Sequence, residues 1–477
     1  METANLIIRN ARVLTSQSDD ICDIVVADGR VASLGQISSL VQQEIDATGL
    51  IATPGGVDVH AHIEQMSGMG LMNADTFETA TRSAALGGTT SVISFAPQSA
   101  APRLVDAVGD YAARARRGAY IDHAFHMILN DLTAPEFADD LISLIEAGHR
   151  SIKVFTTYNI QLSDRDICEV LGIAKSAGAL VCIHAENDGL IGWTKDRLIA
   201  NGKTEPKHHA LSHPRLAEIE AVERMIRFAE YFATPVMLFH ISTSEAVDRI
   251  RRARADGIPV WAETCPHYLF MTSDVLDGPG IEGAKWMCSP PQRTAADQEA
   301  LWEGLADGTL DLVSSDHAPY RFDETGKLSN GTDVDFSKIA NGLPGLEVRM
   351  PLMFDAMARG QISAQDFVRI SCSNPARIHG LPNKGDLAPG MDADIVLWDP
   401  TVSQMYGEDD LHDNVGYNPW VGREVRGKVE TVILRGQTIC HDGMLVGEPG
   451  QGAWIERPQL GVSTKARPAP EYLEATT

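Results

Sequence analysis

The sequence predicts an α/β fold: a (β/α)8 barrel of the TIM type with a small β-sandwich domain built from both chain ends. Eight short apolar runs alternate with helix-like segments between residues 57 and 313. Such alternation is typical of a parallel sheet covered by helices, and eight units in one region favour a closed barrel over an open sheet. Short strands divided by turns stand before and after this region.

Residues 1–54 are predicted to form the first part of the β-domain. Their apolar runs are short and are separated by Asn10, Asp19–Asp20 and Asp28–Gly29, which favour turns. The predicted strands are Leu6–Ile8, Val13–Leu14, Ile24–Val26 and Val31–Leu34.

Residues 55–384 are predicted to form the barrel. Its strands are expected at Val57–Ala61, Thr89–Phe95, His123–Leu129, Ser151–Phe155, Ala179–Ile183, Pro235–Ile241, Pro259–Ala262 and Leu310–Val313. Helices are expected between them, at Phe77–Leu86, Leu104–Arg117, Pro135–Ala147, Asp164–Ser176, Leu216–Phe232, Ser244–Ala255 and Ala296–Leu305.

Short strands return after residue 384, at Asp394–Trp398, Val429–Leu434 and Thr438–Cys440. We expect residues 385–457 to complete the β-domain beside the barrel. Residues 458–477 contain three prolines and are expected to form an extended C-terminal tail.

Composition argues against several classes of partner. The formal net charge of -25 disfavours nucleic acid and anionic membrane surfaces, and no apolar run approaches the roughly 18 residues of a membrane span. Seven widely spaced cysteines without a CxxC pair favour a reducing cytoplasm over a disulfide framework. We expect no signal peptide, because residues 1–14 lack a basic segment followed by an apolar one.

Chemically active side chains cluster at the predicted C-terminal ends of the barrel strands, where active sites of such barrels lie. Each alone has an ordinary explanation, such as a hydrogen-bonded core histidine or a lysine that reaches solvent. Their coincidence at the same end of five strands favours a metal site. The residues are His60, His62, Lys153, His184, His240 and Asp316.

The ligand types indicate which metals are suitable. Histidine and carboxylate suit zinc, with manganese, cobalt and iron as alternatives. Four imidazoles and one carboxylate exceed the needs of one catalytic zinc, so we expect two ions. Two metals need an anionic bridge, and Lys153 cannot bridge as an ammonium because it has no lone pair.

An ordered set of motifs between about residues 50 and 400 is similar to a known family. The motifs are Gly55–His62, Lys153–Tyr158, His184–Asn187, Glu263–Leu269, Glu282–Lys285, Cys288–Pro291, Ser315–His317 and Asn341–Glu347. The set resembles the cyclic amidohydrolases, most closely the hydantoinase/dihydropyrimidinase family. The resemblance implies hydrolysis of a cyclic amide or imide, of the hydantoin or 5,6-dihydropyrimidine type, to an N-carbamoyl amino acid.

The resemblance also implies a ligand set for two divalent metals. Lys153 would be carboxylated on its side-chain nitrogen and would bridge the ions as an anion. His60, His62 and Asp316 would bind one ion, and His184 with His240 would bind the other.

Further roles follow from the resemblance. Asp316 is implied as the proton carrier and Tyr158 as a donor to the tetrahedral oxyanion. Backbone groups of Ser289 and Asn341 would hold the cyclic amide. His317 is expected to be structural or to lie behind the ligands, while Glu186 and Asn187 either orient His184 or simply end the strand.

The loop after His62 departs from the family pattern. Residues 63–73 are rich in methionine and glycine and contain Gln65, which we expect to contact the substrate. The alternatives left open are an allantoinase, a dihydroorotase or another cyclic-imide hydrolase, and a non-catalytic scaffold like the collapsin response mediator proteins. The filled ligand positions disfavour the scaffold. The family implies a homo-oligomer, either a tetramer or a dimer.

Overall fold

The computed structural model describes residues 4–36, 41 and 43–462. The strands are β1 (Leu6–Leu14), β2 (Asp19–Ala27), β3 (Arg30–Gly35), β4 (Gln43–Asp46), β5 (Ile51–Pro54), β6 (Gly56–Ala61), β7 (Thr89–Pro97), β8 (Asp122–Ile128), β9 (Ser151–Phe155), β10 (Leu180–His184), β11 (Val236–Leu238), β12 (Val260–Thr264), β13 (Leu312–Val313), β14 (Ile395–Met405), β15 (Glu424–Leu434), β16 (Gln437–His441) and β17 (Met444–Leu445).

Helices alternate with the central strands. They are α1 (Phe77–Leu86), α2 (Leu104–Gly118), α3 (Phe137–Glu146), α4 (Asp164–Ala177), α5 (Asp188–Ala200), α6 (His209–Ser212), α7 (Arg215–Phe232), α8 (Ser244–Ala255), α9 (Pro266–Phe270), α10 (Ala295–Ala306), α11 (Arg349–Ala358), α12 (Ala364–Val368) and α13 (Asn374–His379). Thr76 and Ser163 begin α1 and α4 with capping boxes. Within the described ranges, no helix is long and apolar enough to cross a bilayer.

Strands β6 to β13 form one parallel sheet in chain order. The gap between β13 and β6 is spanned by a parallel bridge between Ala61 and His317, where the His62 N–H donates to the His317 carbonyl at 2.7 Å. The sheet is therefore a nearly closed barrel. All eight predicted strands are present, and the seven predicted helices are present with ends within two residues of their expected positions.

The two chain ends form a second, mixed sheet, as predicted. Its order is β17-β16-β15-β14-β5-β1-β2-β3, and β4 pairs with β1. Strands β5 and β14 join the two halves, with Thr53 opposite Val396. The prediction of two separate strands in residues 6–14 was wrong: β1 is continuous, and Asn10 sits at a register shift with φ of 56°. Asparagine tolerates this conformation, so a bulge replaces the expected turn.

The segment of residues 452–462 crosses the N-terminal end of the barrel, and we call it the floor segment. The His123 N–H donates to the Ala453 carbonyl at 2.9 Å, and the Ile455 N–H donates to the His123 carbonyl at 2.8 Å. Buried Arg457 donates to the Ser151 hydroxyl and the Phe125 carbonyl, both at 2.7 Å. Of the predicted tail, residues 463–477 lie outside the described residues.

Candidate metal centre and substrate cavity

The structure brings all the site residues predicted from the sequence to one cavity of about 580 Å³ at the C-terminal ends of the barrel strands. Because those strands are parallel and neighbouring, residues far apart in sequence reach the same mouth. The residues are His60, His62, Gln65, Lys153, Tyr158, His184, His240, Ser289, Asp316 and Asn341.

His60, His62 and Asp316 form the first of two candidate ligand groups. The Nε2 atom of His60 lies 3.0 Å from Asp316 Oδ1, and that of His62 lies 3.8 Å from the same oxygen. Their candidate ligand atoms all lie within 4.8 Å of one another. Burial opposes a charge on His60, yet Glu263 and Asp316 raise its pKa to about 9. The position therefore favours a cation.

His184 and His240 form the second ligand group, with ring centroids 4.4 Å apart. The Nδ1 atom of His240 is buried and has no hydrogen-bond partner among the described residues. Burial and the neighbouring His184 keep the pKa of His240 well below its usual range. A neutral, unpartnered imidazole is suited to metal binding.

Three of these histidines are oriented by an acceptor on their second ring nitrogen. Glu263 accepts from Nδ1 of His60. Gln65 Oε1 accepts from His62 Nδ1 at 2.9 Å. Glu186 accepts from His184 Nε2 at 2.8 Å. An acceptor on one nitrogen of a neutral imidazole leaves the lone pair on the other nitrogen, which is the arrangement of a metal ligand. His60 reaches this state when a metal ion takes the place of its second proton.

Lys153 lies between the two ligand groups on β9. It is 1% exposed, and its Nζ has no hydrogen-bond partner within the described residues. Its nearest aromatic neighbour is Phe239, whose ring centroid lies 4.1 Å from Nζ. Burial lowers the pKa of Lys153 to about 8, although Glu263 and Asp316 oppose this. An orphaned, partly neutral amine beside four imidazoles fits an amine that is modified to hold metal.

Asp316 and Tyr158 differ in charge because their surroundings differ. Burial would raise the pKa of Asp316, but His60 outweighs it and holds that pKa below the usual range. Burial, followed by the charge of Glu186, raises the pKa of Tyr158 well above its usual value. Asp316 is thus an anionic acceptor and Tyr158 a neutral donor in the same cavity.

Several site residues have unusual backbone angles. Tyr158, His240 and Asp316 have φ of 70°, 43° and 48°, although none is glycine. Non-glycine residues with positive φ are uncommon and gather at sites where the surroundings hold them. The conformation turns these side chains into the cavity at the strand ends.

The hydrogen-bond partners of three residues decide the roles that the sequence left open. His317 is not directed at a metal: its Nε2 lies 3.0 Å from Asp75, and its Nδ1 accepts from the Gly345 N–H at 3.2 Å. Glu186 orients His184, whereas Asn187 caps α5 by accepting from the Leu190 N–H at 3.0 Å.

Sequence reasoning missed three supporting residues. Glu263, which holds His60, ends a buried strand, and an acidic residue in that position was an available signal. His213 Nδ1 lies 2.9 Å from Glu186, and no local pattern marked it. Buried Lys327 donates to the Ala340 carbonyl at 2.9 Å and the Met287 carbonyl at 3.3 Å, and so ties the turn before Asn341 to the turn before Ser289.

The loop of residues 64–73 folds back on itself over the cavity. The Ser67 N–H donates to the Leu71 carbonyl at 2.8 Å, and the Asn73 N–H donates to the Gln65 carbonyl at 3.0 Å. Asn159 Nδ2 donates to the Gly68 carbonyl at 2.7 Å, which fastens the loop to the turn after β9. Gln65 is buried while Met69 is 47% exposed, so the loop has an inner polar end and an outer apolar tip.

Comparison with known proteins agrees with this architecture. The amidohydrolase family profile matches residues 51–439. A D-hydantoinase from Streptomyces coelicolor (strain ATCC BAA-471 / A3(2) / M145) is 39% identical over 464 residues, covering 95% of this chain and 98% of the relative. A D-phenylhydantoinase from Escherichia coli O7:K1 (strain IAI39 / ExPEC) is 38% identical over 460 residues, with 95% and 98% covered.

A solved structure is equally similar. The dihydropyrimidinase from Brevibacillus agri NCHU1002 superposes with a TM-score of 0.91 at 37% identity, covering 97% of this chain and 99% of that one. Near-complete coverage means that the barrel and the mixed sheet are shared together. The chain belongs to the amidohydrolase family, within its hydantoinase and dihydropyrimidinase group.

Proposed function

We propose that this enzyme uses two metal ions to open the ring amide of a hydantoin or a 5,6-dihydropyrimidine, which gives an N-carbamoyl amino acid. The strongest support is the orphaned Lys153 amine beside two histidine groups, in which His60, His62 and His184 each have one ring nitrogen already held. The named activities of the relatives, D-hydantoinase and dihydropyrimidinase, support the same reaction.

The ligands divide as the two groups do. His60, His62 and Asp316 would hold one ion, and His184 and His240 would hold the other. Lys153 would supply an anionic ligand to both after its neutral amine adds carbon dioxide and loses a proton. Zinc is the ion that suits these imidazoles and carboxylates best. When bound, the pair supplies a hydroxide near neutral pH and polarises the substrate carbonyl.

The chain's own groups handle the protons and the substrate. Asp316 accepts the proton of the nucleophile and delivers it to the ring nitrogen that leaves. Tyr158 donates its phenol proton in a hydrogen bond to the developing oxyanion. Backbone groups of Ser289 and Asn341 contact the planar amide edge, at turns that Lys327 holds together.

The substituent of the ring is proposed to lie under the loop of residues 64–73. Gln65 accepts a hydrogen bond from His62 at the inner end of the loop, and it borders the cavity there. The half-exposed Met69 and the partly buried Ile160 also line the cavity. Flexible apolar side chains accommodate substituents of different shape.

Asp316→Asn tests the proposed chemistry. The carboxamide keeps the shape but cannot take the proton, so turnover should fall by about 10²–10⁴-fold while circular dichroism stays unchanged. Dihydrouracil, hydantoin, 5-substituted hydantoins, allantoin and succinimide should be compared on both proteins. Normal turnover in the variant contradicts the role of Asp316. Preference for allantoin or succinimide would replace the proposed substrate class, and no turnover on any of the five would favour a scaffold.

Metal content tests the proposed cofactor directly. Mass spectrometry should detect two zinc ions at the six ligand positions of each chain and a mass increase of one carboxyl group on the peptide containing Lys153. After chelation in buffer free of carbon dioxide, zinc alone should restore less activity than zinc with bicarbonate. Equal recovery in both buffers would exclude a carboxylated lysine.

Assembly and location are also proposed from the chain's surface and thiols. Trp193, Leu211 and Leu216 are 64%, 54% and 59% exposed, and such apolar side chains favour burial between subunits of a dimer or tetramer. All seven cysteines are free, which supports a reducing cytoplasm. Light scattering of the purified protein distinguishes a monomer from either oligomer.

A further inference from the structure

Apart from the two ligand groups of the cavity, another cluster of side chains of types that bind metals lies inside the barrel, on the floor side of the cavity. We call His126, Cys182 and His379 the floor cluster. They come from β8, β10 and the end of α13, and they are 0%, 0% and 1% exposed. One nitrogen or sulfur atom of each lies within 4.8 Å of the others. The cluster shares no residue with the two ligand groups of the cavity.

The protonation of His126 is suited to metal binding. Its Nε2 lies 2.9 Å from the Val59 carbonyl oxygen, which only accepts, so Nε2 carries the proton. Nδ1 therefore keeps a lone pair, which accepts a weak hydrogen bond from the Cys182 thiol at 3.8 Å. A backbone carbonyl on the far nitrogen is the usual support for a metal-ligating histidine, and it matches the way His62 and His184 are held.

His379 is the most informative member of the cluster. Both of its ring nitrogens are buried and have no hydrogen-bond partner within residues 4–36, 41 and 43–462. Its ring centroid lies 5.3 Å from that of His126. A buried polar group without a hydrogen-bond partner is costly, so a histidine here is unfavourable unless something binds it.

The spacing fits a soft metal ion. Metal–sulfur and metal–nitrogen bonds of about 2.3 and 2.05 Å at a tetrahedral angle place the two ligand atoms about 3.5 Å apart. The observed separation of Sγ from Nδ1 is 3.8 Å, so a small inward movement completes the bonds.

We propose that the floor cluster binds one thiophilic cation, Zn²⁺ or Cu⁺, through His126, Cys182 and His379. A bond from sulfur to metal forms as the thiol proton leaves to solvent, and no electron is transferred. Thiolate and imidazole together select these ions over magnesium or calcium. The bound ion links two barrel strands to α13, next to Gly380, which packs closely against Gln459 of the floor segment.

Cobalt substitution tests this proposal without relying on hydrolysis. The intact protein is loaded with Co²⁺, and we expect a sulfur-to-cobalt charge-transfer absorption in the near ultraviolet. The two ligand groups of the cavity contain no thiol, but Cys265 lies with His267 beside Asp316 and could also give that band. Cys265→Ala is therefore loaded with Co²⁺ as well, and it should keep the band. Cys182→Ala should abolish it, whereas Cys440→Ala, which removes another buried thiol, should leave it unchanged.

A second variant keeps the test decisive if Cys182→Ala folds poorly. His379→Phe preserves the size and apolar packing of the side chain, and should weaken cobalt binding at this site at least tenfold while hydrolysis is retained. Mass spectrometry should count one more metal in the intact protein than in either variant, and loading with Zn²⁺ or Cu⁺ separately identifies the preferred ion. Absence of the band from the intact protein, with equal metal content in all variants, overturns the proposal.

Discussion

Lys153 and Lys384 are both buried in this protein, yet their surroundings are opposite. Lys384 lies between the barrel and the mixed sheet, where its Nζ contacts Asp122, Asp392 and Asp394 at 2.7, 2.9 and 2.8 Å. Lys153 has no hydrogen-bond partner among the described residues. Lys384 is thus an ammonium whose charge three carboxylates neutralise, whereas Lys153 is a buried amine that no hydrogen-bond partner stabilises.

The comparison shows that burial alone does not reveal which charged side chain has a chemical role. A buried ammonium is tolerated when carboxylates surround it, because their attraction offsets the loss of hydration. Without such partners the same group stays costly, and the fold retains it only where another function needs it. Orphaned polar atoms therefore indicate chemistry where they line a cavity, as at Lys153 and His240, and not by themselves, because others lie elsewhere among the described residues.

Lys153→Met gives the largest expected effect and tests the buried lysine that has no hydrogen-bond partner. Methionine fills similar space but cannot be carboxylated, so the bridge between the two metals is lost. Turnover should fall by about 10⁴-fold, equivalent to about 5.5 kcal/mol. Steady-state kinetics and metal analysis measure the loss, and the thermal unfolding midpoint of the metal-free variant should be no lower than that of the parent. A variant that keeps both metals and normal turnover would contradict the proposed bridge.

Lys384→Met tests the lysine that carboxylates neutralise. We expect this variant to lose stability while turnover is kept. Removing the ammonium leaves the buried carboxylates of Asp122 and Asp394 and the partly buried one of Asp392 without it, which should lower the free energy of unfolding by about 3–5 kcal/mol. Denaturant titration measures this loss. Turnover per folded molecule should stay within twofold of the parent, since Lys384 is not one of the residues that line the cavity. If instead stability is unchanged, the cluster does not join the barrel to the mixed sheet.

The same contrast explains which features the sequence could predict. The eight barrel strands appear as apolar runs because parallel strands are buried on both faces, and the ligands follow at the strand ends. Their partners could not be predicted, since Glu263 is 203 residues from His60 and Asp122 is 262 residues from Lys384. No local pattern shows which distant acid meets which base.

Irregular backbone conformations could not be predicted from the sequence either. Asn10 suggested a turn because asparagine favours turns, whereas it forms a bulge inside a continuous strand. The loop of residues 64–73 could be recognised as unusual, but its attachment through Asn159 depends on a contact across 91 residues. Such contacts arise from packing, which local propensity does not encode.

Glu186→Gln sharpens the comparison within the second ligand group. Glu186 neutralises its neighbourhood by holding His184 and His213, and the amide weakens that support without creating a cavity. Metal affinity should fall by about 10–100-fold, measured by competition with a chelator. Glu220→Gln is the matched control, because Glu220 contacts Asn187 on the exposed side of the same region. Equal affinity loss in both variants would indicate a general effect of removing acidic charge.

Asn159→Ala gives the smallest expected effect and tests whether a surface contact reaches the cavity. Its loss removes one hydrogen bond to the Gly68 carbonyl, worth about 1 kcal/mol, and loosens the loop over the substituent. KM for a bulky 5-substituted hydantoin should rise about fivefold, with little change for unsubstituted hydantoin and none in kcat. Asn201→Ala, which removes an equally short bond of 2.7 Å to the Arg197 carbonyl, is the control. A KM that rises equally for both substrates, or equally in the control, would separate this loop from substituent recognition.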